Sequence, residues 1–264
     1  IAGVFRYHEA DVDVGFRQKS ALEVDLAETV EALVAHVPFD RALVKHLAET
    51  VRASKCRAVL CDIAPLGVAV AEEAGLPSVL VENFAWPWLY EPFVGEAPEL
   101  KALGEEIGRW SERATVHVQT RPICDRRPEY ELVDPISRSP GVDRRTARAR
   151  LGIQHEGPLL VLTMGGYSED LPFLDRLRER RDITFVVTGA GDTRIDGNLH
   201  LFDNNTPLFM PNVLRAADAI VAKLGYGTVS EVWAEGLPYG HVTRSNFREM
   251  PSLEAFAAEE LSGF

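Results

Sequence analysis

The stretch from Lys223 to Glu231 (KLGYGTVSE) holds the residues best suited to binding a ligand. It follows an apolar run typical of a strand and opens a predicted helix. Gly225 and Gly227 permit a tight turn and let a ligand come close to the backbone, and Thr228 can cap the helix. The first amides of such a helix are free donors at the positive end of its dipole. This chemistry suits a phosphate, and Lys223 would be a costly charge here unless it faced an anion or solvent.

Glu231 comes three residues after Thr228. This spacing is that of a capping box, in which the carboxylate accepts a hydrogen bond from the backbone of the cap residue. It also suits a carboxylate that accepts hydrogen bonds from a ribose diol. The spacing leaves both interpretations open.

A second glycine turn, at 163–168 (TMGGYS), follows another apolar run of the same half. Doubly wound folds bind ligands at loops on the carboxyl ends of their strands, which makes Gly165 and Gly166 candidates as well. Neither loop has the spacing GxGxxG or GxxxxGK[ST]. An ordinary NAD enzyme or ATPase is therefore disfavoured.

The first half offers one carboxylate and a group of aromatic side chains. Asp62 stands in a CDIAP turn at the end of a predicted strand, where it could face a cleft or cap the helix that starts near Pro65. Polar and aromatic residues follow the next predicted strand: Asn83, Phe84, Trp86, Trp88 and Tyr90. They could line an acceptor groove or form a hydrophobic cover over the sheet.

Composition excludes several classes of function. With 28 Lys and Arg against 40 Asp and Glu the formal charge is −12, which disfavours nucleic acid as a partner. The longest apolar stretch, 58–81, is interrupted by acidic residues and prolines, so no transmembrane segment is expected. The histidines show no metal-ligand spacing, and the odd number of cysteines, 3, favours a reducing, cytoplasmic environment.

The elements that must position these residues alternate regularly in the second half. Apolar runs predict strands at 159–164, 183–188, 200–202, 219–222 and 239–243. Helices are predicted at 171–181, 212–217 and 229–234, with a last one from Pro251. This order predicts a parallel sheet with helices on both faces.

The first half repeats part of that order. Helical sequence at 21–54, with a break at Pro38, precedes strands at 58–61, 78–81 and 115–119 and a helix at 65–74. A Gly-Leu-Pro stop before a strand occurs in both halves, at 75–77 and 236–238. Residues 121–151 gather prolines and arginines and predict a linker, with the arginines on a solvated helix face or an anion-binding surface. We place the domains at 1–135 and 136–264.

The run from Pro158 to Phe264, with its late loop, helix and Gly-Leu-Pro strand, resembles the donor domain of GT-B glycosyltransferases. GYGTVSE with Arg244, Phe247 and Glu249, together with DIAPLGVAVAEEAGLPSVLVENFAWPWLYEPF, resembles the glycosyltransferase-like domain that precedes sugar kinases such as arabinokinase. The resemblance implies an α/β fold of two doubly wound, Rossmann-like domains facing a cleft. The family's first strand and its glycine- and histidine-bearing loop are not found, so the first domain is expected to be incomplete at its N-terminus.

The resemblance also implies roles for particular residues. The donor diphosphate would be held by Gly165, Gly166, Lys223, Gly225, Gly227 and Thr228. Glu231 would bind the ribose. Less specific roles follow for further residues: Met210 and Leu214 at the base, unless they are core contacts, Arg248 and Glu249 near the sugar, Asn83, Phe84 and Trp86 on the acceptor side, and Asp62 as catalytic base.

The expected activity is metal-independent transfer of a sugar from a nucleotide-sugar donor, with UDP as the expected nucleotide, to an unidentified hydroxyl acceptor. No cofactor beyond the donor is expected. Two alternatives stay open: a nucleotide-sugar epimerase or hydrolase of the same fold, and a non-catalytic sugar-nucleotide-binding module of a sugar kinase. The sequence leaves the sugar, the acceptor, the stereochemistry and the oligomeric state undetermined.

Overall fold

The structure is a computed structural model, and it describes residues 6–20, 22–164, 172–244 and 247–262. Contacts divide the chain into two compact units. Unit 1 comprises Ile1–Arg17 and Asp25–Leu132, and unit 2 comprises Gln18–Val24 and Val133–Phe264. None of the helices in the described ranges combines the length and the apolar character that a membrane span requires.

Unit 1 is built on a sheet whose order, within the described residues, is β1-β2-β3-β4. Its elements in chain order are α1 (Leu26–His36), α2 (Arg41–Ala53), β1 (Val59–Asp62), α3 (Leu66–Ala74), β2 (Ser78–Glu82), α4 (Trp86–Tyr90), a 3-10 turn (Glu91–Phe93), α5 (Glu99–Ser111), β3 (Val116–Thr120) and β4 (Glu131–Val133). The first three strands are parallel, so β1 and β2 end at the same edge of the sheet. Asp62 and Glu82 are the last residues of these two strands.

Local sequence accounts for the ends of these helices. The carboxylates of Asp25 and Asp40 accept hydrogen bonds from the first turns of α1 and α2. Gly75 ends α3 in the left-handed conformation, with φ 69°, and a strand follows. Leu80 of β2 is fully buried against Cys61 and Val68, which places a core between the sheet and α3.

Unit 2 contains a sheet of order β10-β9-β5-β6-β8-β7 among the residues that the structure describes. Its elements are α6 (Arg144–Arg150), β5 (Leu159–Thr163), α7 (Leu174–Arg178), β6 (Thr184–Thr188), β7 (Arg194–Asp196), β8 (Leu199–Phe202), α8 (Met210–Ala216), β9 (Ala219–Lys223), α9 (Tyr226–Glu235), β10 (Tyr239–Val242) and α10 (Met250–Glu260). All pairings are parallel except that of β7 with β8. The predicted α/β class with parallel sheets is therefore confirmed.

The predicted linker at 121–151 is wrong over its last part. Residues Arg144–Arg150 form α6, which begins after the cap Asp143 and packs on unit 2. Arg148 is 2% exposed, so it lies neither on a solvated face nor on an anion-binding surface. Ala147 and Leu151 are buried in the core of unit 2, and the many arginines around them made this segment look solvent-exposed in the sequence.

Candidate functional site

The turn between β9 and α9 is open at the carboxyl edge of the sheet of unit 2. Leu224 anchors it, because this side chain is fully buried and its N–H donates to the carbonyl of Val242 at 2.8 Å. Gly225 then adopts an extended conformation, and no side chain caps the helix that follows. A Cβ on Gly225 or Gly227 would meet no atom of the described residues within 4 Å, apart from its own chain neighbours. Among the described residues, the side-chain positions at the start of α9 are therefore unoccupied.

The helix starts three residues earlier than the sequence predicts. Its N-cap is Gly225 and its first residue is Tyr226, so the prediction that Thr228 caps the helix is wrong, and the capping box with Glu231 is wrong with it. Tyr226 takes the first position, and its hydroxyl accepts a hydrogen bond from the N–H of Ile136 at 3.2 Å. Thr228 lies in the first turn of α9, where its amide belongs to the open end of the helix.

Glu231 is held by an arginine of the predicted linker. Its side chain is 10% exposed, and its Oε1 accepts from Nε of Arg138 at 2.9 Å and from Nη2 at 2.7 Å. The guanidinium of Arg138 also lies 5.2 Å from the centre of the Phe209 ring. No hydrogen bond to Oε2 of Glu231 is recorded among the described residues. One carboxylate oxygen is therefore committed within the protein and the other is available.

The two residues predicted near the sugar differ in their surroundings. Glu249 is 5% exposed and accepts a hydrogen bond from Nη2 of Arg244 at 2.8 Å. Burial raises the pKa of Glu249, and the positive charges of Arg244 and Lys223 oppose that rise. The Arg244 guanidinium stacks 3.5 Å from the centre of the Phe247 ring. Arg248 is half-buried, and Lys223 ends β9 close enough to Glu249 for their charges to interact.

The remaining predicted donor contacts are placed as follows. Leu214 is 1% exposed and lies in the core of unit 2, so it is a core contact, the alternative to its predicted role at the base. Met210 begins α8 and is partly buried against that core. Gly165 and Gly166 lie outside the described residues, just after the end of β5 at Thr163.

In unit 1, Asp62 ends β1 with an exposed side chain. It does not cap α3, whose cap is Pro65 without a side-chain hydrogen bond. A second carboxylate, Asp13, lies near enough to Asp62 for the two charges to interact. The pKa of Asp13 is raised to about 6, mainly by burial and also by the charge of Asp62, while a hydrogen bond from the backbone of Val14 opposes the rise. Asp13 was missed because nothing in the sequence around it forms a pattern.

The aromatic residues after β2 form a packed layer. Trp86 is 7% exposed and stacks on Tyr90, with ring centres 5.5 Å apart. Asn83 is 7% exposed, and its Nδ2 donates to Sγ of Cys124 at 3.8 Å. Phe84 meets Trp86 edge-on and is half-buried, so it retains exposed surface. Trp86 therefore belongs to a hydrophobic cover over the sheet, the second of the two predicted roles. Phe84 keeps exposed surface that a ligand can contact.

No model of a known protein family matches the sequence. L-arabinokinase of Arabidopsis thaliana is 28% identical over 253 residues, which cover 92% of this chain and 24% of that protein. The chain thus spans about a quarter of the length of this curated relative. Solved structures match over most of the chain. The glycotransferase of kitacinnamycin has a TM-score of 0.56 at 14% identity, covering 94% of this chain and 73% of its own.

Two further solved structures of glycosyltransferases are similar to the chain over most of its length. Spinosyn forosaminyltransferase SpnP gives a TM-score of 0.54 at 17% identity, with 92% of this chain and 70% of its own covered. Glycosyltransferase VinC, in complex with dTDP, gives 0.52 at 19% identity, with 89% and 66% covered. The chain has the GT-B fold. The open turn of unit 2 follows the carboxyl end of β9, and Asp62 and Glu82 of unit 1 stand at the carboxyl ends of β1 and β2. These are the ends of parallel strands at which α/β sheets bind ligands.

Proposed function

We propose that the chain is a glycosyltransferase that binds a nucleoside-diphosphate sugar, UDP being the expected nucleotide, and transfers the sugar to a hydroxyl acceptor. The observation that carries the proposal is the uncapped, open N-terminus of α9 within a GT-B fold. A helix N-terminus without a side-chain cap presents unpaired N–H donors and the positive end of the dipole. A diphosphate satisfies both.

The donor half of the reaction follows from that turn. When the bond between the anomeric carbon and the diphosphate breaks, negative charge grows on the leaving diphosphate. The amides of Gly227 and Thr228 and the dipole of α9 stabilise this charge, with Lys223 supplying a full positive charge from the end of β9. Losing one preorganised donor of this kind costs about 3 kcal/mol of barrier.

Glu231 is proposed to bind the ribose. Its Oε2 accepts from the diol, while Arg138 holds Oε1 and orients the carboxylate. Arg138 is therefore a positioning residue in this proposal.

The acceptor half is assigned to unit 1. An acceptor hydroxyl must lose its proton as its oxygen attacks the anomeric carbon. We propose that the pair of Asp62 and Asp13 accepts this proton. General bases work best when their pKa lies near the working pH, and the pKa of Asp13 is raised to about 6, in that direction. Phe84, which packs edge-on against Trp86, offers exposed aromatic surface in the same unit.

One observation favours a second candidate. The relative with the matched sequence is named L-arabinokinase, and this chain matches only 24% of it. The chain could therefore serve as a nucleotide-sugar-binding module of a larger sugar kinase, with binding but no transfer. Binding and turnover must be measured separately.

The binding experiment uses calorimetry with UDP, dTDP and GDP on the wild type and on Gly227→Ala. Because a Cβ at Gly227 meets nothing within 4 Å among the described residues, the variant should fold, with its methyl group where the diphosphate lies. We expect UDP affinity to fall at least about tenfold, or about 1.4 kcal/mol. Gly95→Ala is the matched control, since Gly95 is equally open but lies in unit 1.

Turnover is measured as UDP release from UDP-sugars, with and without a panel of hydroxyl acceptors, in the presence and absence of EDTA. A transferase needs the acceptor and, as proposed, works in EDTA. Release without acceptor indicates a hydrolase, and binding without release supports the kinase module. If no nucleotide binds, or if Gly227→Ala binds UDP as the wild type does, the donor site is wrong.

A further inference from the structure

Glu82 is a largely buried acidic residue in unit 1. It ends β2, and only 7% of the residue is exposed. Among the described residues the structure records neither a hydrogen bond nor an ion pair to its side chain, although Arg127 is close enough to interact with it electrostatically. Burying a carboxylate in this way is costly, and such groups normally have partners. The position therefore calls for a ligand.

The Glu82 carboxyl lines a cavity of about 150 Å³ that lies wholly within unit 1. Pro87 and Trp88 of α4 form one wall, Gly108 and Ser111 of α5 another. Such a volume accommodates a ligand of about six non-hydrogen atoms, the size of benzene. Two aromatic residues, Trp88 and Tyr130, line the cavity together with its polar groups.

The charges around the cavity are mainly negative. Glu112 and Asp125 line it together with Glu82, and Arg127 is the one lysine or arginine among its described lining residues. Arg127 is already paired, since its Nε lies 3.4 Å from Oδ2 of Asp125. With that pair neutral overall, the carboxylates of Glu82 and Glu112 leave a net negative site. Its potential favours a cation.

We propose that this cavity binds a small organic cation, a primary ammonium of about six non-hydrogen atoms, with its charge on Glu82 and its carbon chain against Trp88 and Tyr130. An ammonium supplies the hydrogen-bond donors that the Glu82 carboxylate lacks. The aromatic rings favour both the positive charge and the attached methylene groups. The site is independent of the donor turn in unit 2 and does not rest on the proposed transfer reaction.

Binding should depend on pH through Glu82. The pKa of this carboxyl is raised to about 7, mainly by burial, with Arg127 opposing the rise and Asp125 adding to it. The other titratable and charged groups around it are Glu112 on the α5 side, Tyr130 in the loop after β3, and His117 and Glu129, which interact with Tyr130. Only ionised Glu82 neutralises an ammonium. The cation should therefore bind more tightly above pH 7.

The experiment titrates the 264-residue chain with n-butylammonium, followed by NMR shifts of the backbone amides and by calorimetry. For a carboxyl of pKa about 7, the ionised fraction differs about tenfold between about pH 6 and about pH 8. We expect the affinity to rise by that factor, with shifts at Trp88 and Gly108. The uncharged 1-butanol and the anion butyrate should bind at least about tenfold more weakly than n-butylammonium.

Variants separate the role of the charge from folding. Glu82→Gln keeps the shape of the side chain and should lose both the affinity and its pH dependence. The matched control is Glu105→Gln, which changes an exposed carboxylate on α5, the helix that forms one wall of the cavity. This variant should bind as the wild type does. The pH series on the wild type needs no variant and tests the proposal even if Glu82→Gln does not fold.

Several results would overturn the proposal. They are no saturable binding of n-butylammonium at about pH 8, equal affinity at both pH values, equal affinity for 1-butanol, or unchanged affinity in Glu82→Gln. Preferential binding of Mg²⁺ or Ca²⁺ with the same shifts would also contradict it, because the site would then be a metal site.

Discussion

Arg138 holds a single carboxylate oxygen of Glu231 through two nitrogens, at 2.9 and 2.7 Å. The arginine side chain is 61% exposed while the glutamate is 10% exposed, so the pair joins a surface group to a buried one. An exposed partner contributes little to stability, about 0–1 kcal/mol. Its effect on orientation is the larger one, because two nitrogens of Arg138 fix the position of one carboxylate oxygen of Glu231.

Glu231→Gln is predicted to weaken UDP binding about tenfold or more, since a hydrogen bond to a charged group contributes about 1.5–3 kcal/mol. The measurement is calorimetry with UDP and with 2′,3′-dideoxy-UDP. The variant should lose affinity for UDP only, because the second ligand has no diol. Glu235→Gln, at the other end of α9 and paired with Arg215, is the control. Equal losses for both ligands would contradict the assignment to ribose.

Arg138→Met is predicted to weaken UDP binding by less than Glu231→Gln does. The carboxylate remains but is no longer held in place. In the double variant the loss should be that of Glu231→Gln alone, since Arg138 acts through Glu231. Additive losses would show that Arg138 touches the ligand itself.

Asp62→Asn is predicted to lower the pKa of Asp13 from about 6 without restoring its ordinary value. The negative charge of Asp62 disappears, but burial, the larger cause of the rise, remains. Carboxyl ¹³C shifts of Asp13 across the pH range measure this directly. An unchanged titration of Asp13 would mean that the two carboxylates do not interact in solution.

Glu82→Gln is predicted to stabilise the chain at neutral and alkaline pH. The pKa of Glu82 rises from 4.5 to about 7 on folding, so folded protein holds a proton that unfolded protein releases. The contribution of Glu82 to the free energy of unfolding is fully present below pH 4.5 and lost as pH rises to about 7. A glutamine at this position does not titrate, so its contribution does not change over that range. The variant should therefore gain up to about 3 kcal/mol above pH 7 and nothing below pH 4, measured by urea unfolding.

Arg148→Met is predicted to destabilise unit 2 by about 3 kcal/mol, measured by thermal or urea unfolding. The buried guanidinium donates to the carbonyls of Ala216, His155 and Gly157, and to Asp218 at 2.8 Å. The variant removes this donor from all four acceptors, although Asp218 keeps its hydrogen bonds from Arg144 and from the N–H of Leu159. Arg145→Met, exposed on the same helix, should change stability by about 0.5 kcal/mol or less. Similar effects for both variants would contradict the structural role of Arg148.

The sequence by itself determined the features that depend on near neighbours along the chain. Alternating apolar runs predicted β5, β6, β9 and β10, and the two Gly-Leu-Pro stops predicted where α3 and α9 end, because each Gly takes the left-handed conformation. The two glycines at 225 and 227 also marked the turn before α9, although neither has a positive φ.

Only the tertiary structure decided burial and charge. Arg148 looked like its solvated neighbours, Asp13 had no pattern around it, and Glu82 was one more acidic residue after a strand. Each acquires its properties from residues distant in the chain: the carbonyls around Arg148, the charge of Asp62, and the walls that α4 and α5 place over Glu82. Desolvation and electrostatic coupling depend on distance in space, and a local pattern of residue types does not contain that distance.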